Sequence, residues 1–308
     1  MPEPSAAARE LAARRAAARR ERDFATADAL RDELAAAGFR MVDRSDGYDL
    51  EPIAPVVARR VAPRDVPSAL DTPPDLDVTV QWVVQGWSED IARGMASFAN
   101  HAPADLRIGY VVVDASGVEG SVFPEGSEVV LIDGDPGWGA LRAAALRRSR
   151  GAIVLVVDGS IEATGDAITP LVRALDDPTI GVVGPFGIVS DDLREFREDA
   201  GPDVDAIEGY LLATRRETLV AAGGFDERFR FYRSADIDLS FRIRDRGLRA
   251  VVVDVPVVRH EHRGWHRTPE AERVAASKRN FYRFLERFRG RTDLLVRGAG
   301  GGAGPSSR

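Results

Sequence analysis

The sequence predicts an α/β protein: a mostly parallel sheet flanked by helices, preceded by a small helix-plus-hairpin module. Three observations predict it. From Asp77 onward, short β-rich runs ("VTVQWVV", "RIGYVVVD", "AIVLVVD") alternate with stretches of helical composition. Those runs are continuously apolar rather than alternating, the pattern of parallel strands covered on both faces. The first fifty residues have a different texture, dominated by Ala, Arg, Glu and Leu.

Residues 5–37 contain no Gly or Pro, so helix propensity is high throughout. Phe24, Ala27, Leu30 and Leu34 form one narrow apolar stripe, and Gly38 stands where a helix C-cap belongs. The expectation is one long helix with a break near Ala18. Alternation in "FRMVDRSDGYDLEP" around Asp46-Gly47 signals a hairpin. A Pro-rich stretch over 53–74 reads as an extended linker to a main domain over 75–290. Within that domain, "SEDIARGMASFANHA", "GALRAAALRRS", "ITPLVRALDD" and "IDLSFRIRDRG" are expected helices. "IGVVGPF" and "RAVVVDVPVV" are further strands, and a charged, aromatic helix spans about 269–290. The Gly-rich stretch 291–308 reads as a disordered tail.

The chain has 308 residues and a formal net charge of −7, which argues against a surface built throughout to grip nucleic acid. It has no cysteine, which removes disulfides and thiolate metal sites. No apolar run is long enough to span a bilayer, and the N-terminus lacks the apolar core of a secretory signal. The expected location is cytoplasmic. The helix at 269–290 is expected to pack on the domain, with peripheral contact at the inner face of a membrane as the alternative.

Ligands of open α/β sheets bind beyond the carboxyl ends of the strands. Two strands here end alike, placing Asp114 and Asp158 at that edge. Asp236 and Asp238 open a helix, and His260 and His262 follow the last strand with a spacing that puts both on one side if the strand continues. Carboxylates with imidazole are acceptable ligands for Mg²⁺ or Mn²⁺. Each feature also has a plainer reading: Asp-Ala-Ser and Asp-Gly-Ser are good turn sequences, and Ser234 or Asp236 would serve as a helix cap.

Three longer motifs carry a family resemblance. They are "GYLLATRRETLVAAGGFDERF" within residues 208–229, "ADIDLSFRIRDRG" at 235–247 and "GWGALRAAALRRSRG" at 137–151. With them, residues 76–265 resemble the family-2 glycosyltransferases, which have the Rossmann-like GT-A fold. The resemblance implies an inverting glycosyltransferase that moves a sugar from a nucleotide-diphospho-sugar to a hydroxyl of a glycan or lipid-linked acceptor. It implies Asp236 as catalytic base, and Asp114, Arg142, Asp158, Gly209, Gly224, Asp226 and Trp265 as substrate contacts. It also implies a divalent metal (Mg²⁺ or Mn²⁺) near Asp158, Ser160, His262 and His260. The sequence departs from the family pattern in several places, including an opening strand, "VTVQWVVQGWSED", that follows it only loosely and Ala145 where Gly is usual. Ser160 replaces the second acid of the D-x-D turn, Ala235 replaces a Glu, and Ala143 replaces an Asn. A catalytically inactive sugar-nucleotide-binding domain is therefore the alternative.

Residues 14–52, with "DFATADALRDEL" and the "DG" hairpin, are similar to the C-terminal helical module of cysteinyl-tRNA synthetases. That likeness implies an RNA-binding adaptor as a third reading, using Arg14, Arg15, Arg19, Arg20 and Arg22. A solvated or docking helix is preferred, so nucleic acid is not an expected partner.

Overall fold

The computed structural model describes residues 6–296, apart from 22, 37–38, 45–46, 53–59, 118–122 and 125. The cap expected at Gly38 therefore lies outside the described residues. The chain divides into two compact units, Met1–Arg59 and Arg60–Arg308.

The first unit holds α1 (Ala6–Arg20), α2 (Phe24–Ala36), β1 (Phe39–Arg44) and β2 (Gly47–Pro52). The strands are antiparallel with Arg44 opposite Gly47, so the expected hairpin is present. The long helix expected over 5–37 is broken into two, and the break falls after Arg20, two residues beyond Ala18. Asp23 causes the restart: its carboxylate accepts the Thr26 N–H at 3.0 Å and the Thr26 hydroxyl at 2.6 Å. This satisfies a first-turn amide that otherwise has no partner within the helix. Ala8, Ala12, Leu34 and Phe39 form the core, where small alanines let the elements approach closely. Of the expected stripe, Ala27, Leu30 and Leu34 are buried, whereas Phe24, in the opening turn, is 62% exposed.

The second unit runs β3 (Leu76–Val84), α3 (Ser88–Asn100), β4 (Ile108–Asp114), β5 (Glu128–Leu131), α4 (Trp138–Arg147), β6 (Gly151–Val157), β7 (Ile161–Ala163), α5 (Thr169–Ala174) and β8 (Ile180–Gly184). It continues through β9 (Gly187–Ser190), β10 (Phe196–Glu198), β11 (Asp203–Val204), β12 (Ala206–Ile207), β13 (Leu211–Arg215), α6 (Arg216–Ala221) and α7 (Ala235–Arg244). β14 (Arg249–Val252), β15 (Val257–Arg259), α8 (Arg263–Arg267) and α9 (Glu270–Phe288) complete it. An eight-stranded sheet has the order β11-β14-β8-β13-β6-β3-β4-β5. It is mostly parallel, but β13 is antiparallel to both β6 and β8, and β11 is antiparallel to β14. β6 shows why its sequence is apolar at every position. Leu155 and Val157 enter one core with Trp82, Met95 and Leu171, while Val154 and Val156 enter the other with Leu212, Leu219 and Leu239.

Two expectations change. The Pro-rich stretch packs on this unit from Arg60 onward: Val61 bridges to Ile132, Val66 is buried, and Arg148 and Arg216 donate to the carbonyls of Pro67 and Thr72. Backbone bonds add to these: the Val61 N–H donates to the Leu131 carbonyl at 3.0 Å and the Ala69 N–H to the Arg147 carbonyl at 2.7 Å. Residues 291–296 of the expected disordered tail pack on the domain, and the rest of that stretch lies outside the described residues. Leu294 and Leu295 are buried beside Phe284 and Phe288, and the Val296 N–H reaches Asp205 Oδ1 at 2.6 Å. The aromatic stripe of α9 packs on Phe241 of α7. No helix among the described residues is long and apolar enough to cross a membrane.

Candidate active site

The carboxyl ends of β3, β4 and β6 form one edge, with Val84 opposite Asp114. Beyond β6 the chain turns at Asp158. Its N–H donates to the Tyr210 carbonyl at 2.9 Å, and its Oδ1 accepts the Ser160 N–H at 2.9 Å and the Ser160 hydroxyl at 2.5 Å. A Cβ at Gly159 would lie 2.7 Å from Ile91 Cδ1, so a larger residue in this turn would have to displace the tip of that side chain. Asp158 Oδ2 lies 3.3 Å from His262 Nε2. His262 caps α8, with Nδ1 accepting the Trp265 N–H at 2.9 Å. In the neutral imidazole this places the proton on Nε2, pointing at Asp158. Burial alone would raise the Asp158 pKa, but bonds from His262 and Ser160 outweigh it and hold the carboxyl below its usual range. Burial likewise works against protonated His262, and the Asp158 carboxylate more than offsets it, raising the imidazole.

Asp236 opens α7. Its Oδ2 accepts the Gly209 N–H at 2.7 Å and its Oδ1 the Ile237 N–H at 2.9 Å. Burial pushes its pKa up, although these amides pull the other way. Ser234 precedes it in a left-handed conformation (φ 65°) and makes no cap bond. Asp158, His262 and Asp236 line one small hollow with Glu208, Gly209, Tyr210, Tyr232 and Arg233. It shares Trp138, Asp158, Tyr232 and His262 with a cleft of about 550 Å³ that includes Trp87, Ser160, Arg267 and Arg279. It shares Tyr210, Tyr232, Arg233 and His262 with a vestibule of about 330 Å³ whose walls include Arg259, His260 and Trp265.

The other expected contacts lie elsewhere. Asp114 is 1% exposed at the end of β4, lines none of these three hollows, and accepts the Ser116 N–H through Oδ1. Arg142 is also buried. It donates to the carbonyls of Gln81 (3.1 Å) and Val157 (2.9 Å), so it props up the Asp158 turn from below. Burial lowers its pKa to about 10, with Asp158 opposing. Gly224 and Asp226 line a separate groove, where Asp226 binds Arg228 and Arg287. The Arg228 bond chiefly holds the Asp226 carboxyl far below the usual range. Trp265 lies in the vestibule between the guanidinium groups of Arg233 and Arg273. β15 stops at Arg259, so the strand does not carry both histidines to one partner: His260 turns to Glu162 at 2.8 Å, away from Asp158.

The expected metal ligands are already bonded within the protein. Ser160 spends its proton on Asp158, and His262 presents an N–H rather than a lone pair to the same carboxylate. Among the described residues, no group of three or more His, Asp or Glu could hold a metal ion. As folded, the set does not fit a metal bound by protein ligands alone.

Sequence reasoning missed Glu208, Tyr210, Tyr232 and Arg233, together with the cleft arginines Arg267 and Arg279. Tyr210 lies within a quoted motif but carried no pattern of its own. Glu208 directly precedes Gly209, and a single acid before a glycine carries no periodic signal.

No family model matches the chain. Over 168 residues it is 30% identical to an N-acetylglucosaminyl-diphospho-decaprenol L-rhamnosyltransferase of Mycobacterium tuberculosis (strain CDC 1551 / Oshkosh), covering 51% of this chain and 54% of that protein. Over 42 residues it is 67% identical to the cysteine–tRNA ligase of Opitutus terrae (strain DSM 11246 / JCM 15787 / PB90-1), covering 14% of this chain and 9% of the ligase. The chain thus spans about half the rhamnosyltransferase and only a small part of the ligase. Among solved structures it is similar to GalNAc-T7 with UDP, GalNAc and Mn²⁺, with a TM-score of 0.53 and 17% identity, covering 68% of this chain and 48% of that one. The large unit therefore has a mixed α/β fold of the GT-A type, a mostly parallel central sheet flanked by helices.

Proposed function

We propose that the protein is an inverting glycosyltransferase that moves a sugar from a nucleotide-diphospho-sugar to an acceptor hydroxyl. One observation carries this reading: Asp236 and the Asp158–His262 pair share a hollow between a large cleft and an open vestibule. The cleft has room for a nucleotide sugar, and the vestibule gives the acceptor a separate approach. The acceptor hydroxyl passes its proton to Asp236 as its oxygen attacks the anomeric carbon. The diphosphate leaves from the opposite face, so the centre inverts in one displacement. A raised Asp236 pKa makes its carboxylate a stronger proton acceptor wherever it is ionised. Arg267 and Arg279, which have no carboxylate partner among the described residues, offer the departing diphosphate positive charge. The rhamnosyltransferase relative, by its name, acts on a lipid-diphosphate-linked sugar. We extend to this chain a glycan or lipid-linked acceptor, met at the cytoplasmic face of a membrane.

The alternative is a domain that binds sugar nucleotides without turnover, favoured by Ala235 and Ser160. Calorimetry with UDP-, GDP- and dTDP-sugars, each with Mn²⁺ and with chelator, tests both. At least one donor is expected to bind, and the paired arms measure any metal dependence. Asp236→Asn is expected to keep that affinity and lose about 10²–10⁴-fold in transfer rate. Binding without any transfer by the unaltered protein favours the inactive domain, and binding of no donor removes both readings.

A further inference from the structure

Glu208 is a buried acid that the scheme above leaves without a role. It sits between β12 and β13, its N–H donates to the Phe186 carbonyl at 2.8 Å, and the next N–H in the chain, that of Gly209, holds Asp236. One peptide segment thus positions two carboxyl groups in one hollow. The Glu208 side chain is 17% exposed, and its Oε2 is buried without a hydrogen-bond partner. The nearest cation, Arg259, is 3.9 Å away and is shared with Glu198 and the rings of Phe186 and Tyr210. A buried acceptor with no donor is costly in a folded protein and calls for an explanation such as a ligand. The groups around it come from several elements. Asp236 on α7 and Glu198 on β10 disfavour its charge, while Arg259 on β15 and Arg233 before α7 favour it. Tyr210, Asp158 and His262 complete the walls. Burial, with Asp236 second, pushes the Glu208 carboxyl up to about 7.

We propose that Glu208 is the acceptor-specificity residue: its unpartnered oxygen receives a second hydroxyl of a polyhydroxylated acceptor, beside the hydroxyl that Asp236 deprotonates. This rests on the glycosyltransferase reading. It makes the acceptor a sugar with neighbouring hydroxyls rather than an isolated alcohol, and it gives acceptor use a near-neutral ionisation that donor binding lacks.

The test uses the full chain, with octyl N-acetylglucosaminide as acceptor probe and the donor found by calorimetry. Glu208→Gln is expected to raise the acceptor KM by about 10-fold or more, as for loss of a charge-assisted hydrogen bond. It is expected to leave the nucleotide Kd within about twofold and to remove the near-neutral ionisation from the pH profile of acceptor kcat/KM. An unchanged acceptor KM, an unchanged pH profile, or a loss of nucleotide binding in step with acceptor use overturns the proposal. If the unaltered protein binds nucleotide but transfers no sugar, the transferase reading fails separately. The ¹³C resonance of the Glu208 carboxyl then decides, assigned by its absence in Glu208→Gln. A near-neutral titration displaced by the probe supports the proposal, and an undisplaced one overturns it.

Discussion

Asp158 and His262 show how single side chains set a pH window. Asp158 is depressed in the fold, so its contribution to stability is present above its unfolded value of 3.8 and is lost as pH falls through the folded value. His262 is raised, so its contribution is complete below its unfolded value of 6.5 and is lost as pH rises through the folded value. The pair therefore stabilises most between pH 3.8 and 6.5. Urea unfolding of the protein and of His262→Gln across pH 3–9 checks this: the difference is expected to be largest inside that window and to shrink on both sides. A constant difference would mean that His262 acts through packing alone. At this scale the acids at strand and helix ends were legible, because Asp158 and Asp236 each occupy a position that the local pattern defines. Glu208 was not, since its importance comes from Asp236, Arg259 and Tyr210, which are distant from one another in sequence.

At the scale of elements, α9 has a sequence that suits either a membrane surface or a protein core. The fold settles this for its aromatic stripe. Phe284 is fully buried against Phe196, Phe241 and Phe288, while Tyr282 is half exposed. Phe284→Ala is expected to cost about 3–5 kcal/mol, the range for emptying a buried aromatic site. Chemical denaturation monitored by circular dichroism checks it, and a loss under about 1 kcal/mol would mean that α9 contributes little to the core. Strands buried on both faces, such as β3, β4 and β6, were legible as continuous apolar runs. β13 was not: "LLATR" is short, carries no distinctive period, and became a strand because β6 and β8 leave a slot that five residues fill. The cap by Asp23 was also unread, since its pairing with Thr26 depends on chain geometry at the break.

The whole molecule consists of two units with separate cores, Met1–Arg59 and Arg60–Arg308. Separate cores imply separate unfolding. Leu34 is 1% exposed in the small core, and Leu34→Ala is expected to destabilise that unit by about 2–5 kcal/mol. Scanning calorimetry is expected to show two transitions, only one of which moves in the variant. A single transition that shifts as a whole would show that the units unfold together.

The sequence by itself determined the fold class and the edge of the sheet on which the candidate site lies. Burial on both faces forces a continuous apolar run, and ligands of open α/β sheets bind beyond the carboxyl ends of such runs. It also determined that the D-x-D turn would lack its second acid, because that is a matter of residue identity at 160. Only the tertiary structure decided how that turn is satisfied. Ser160 and His262 donate to Asp158 through their O–H and N–H, which leaves the three groups bonded to one another rather than open as a metal set. Only the tertiary structure placed Glu208 beside Asp236 and moved Gly224 and Asp226 to another groove. The reason is physical: local pattern records which face of an element is buried, whereas a site is defined by side chains from β6, β13, α7 and α8 meeting across distances that no local period encodes.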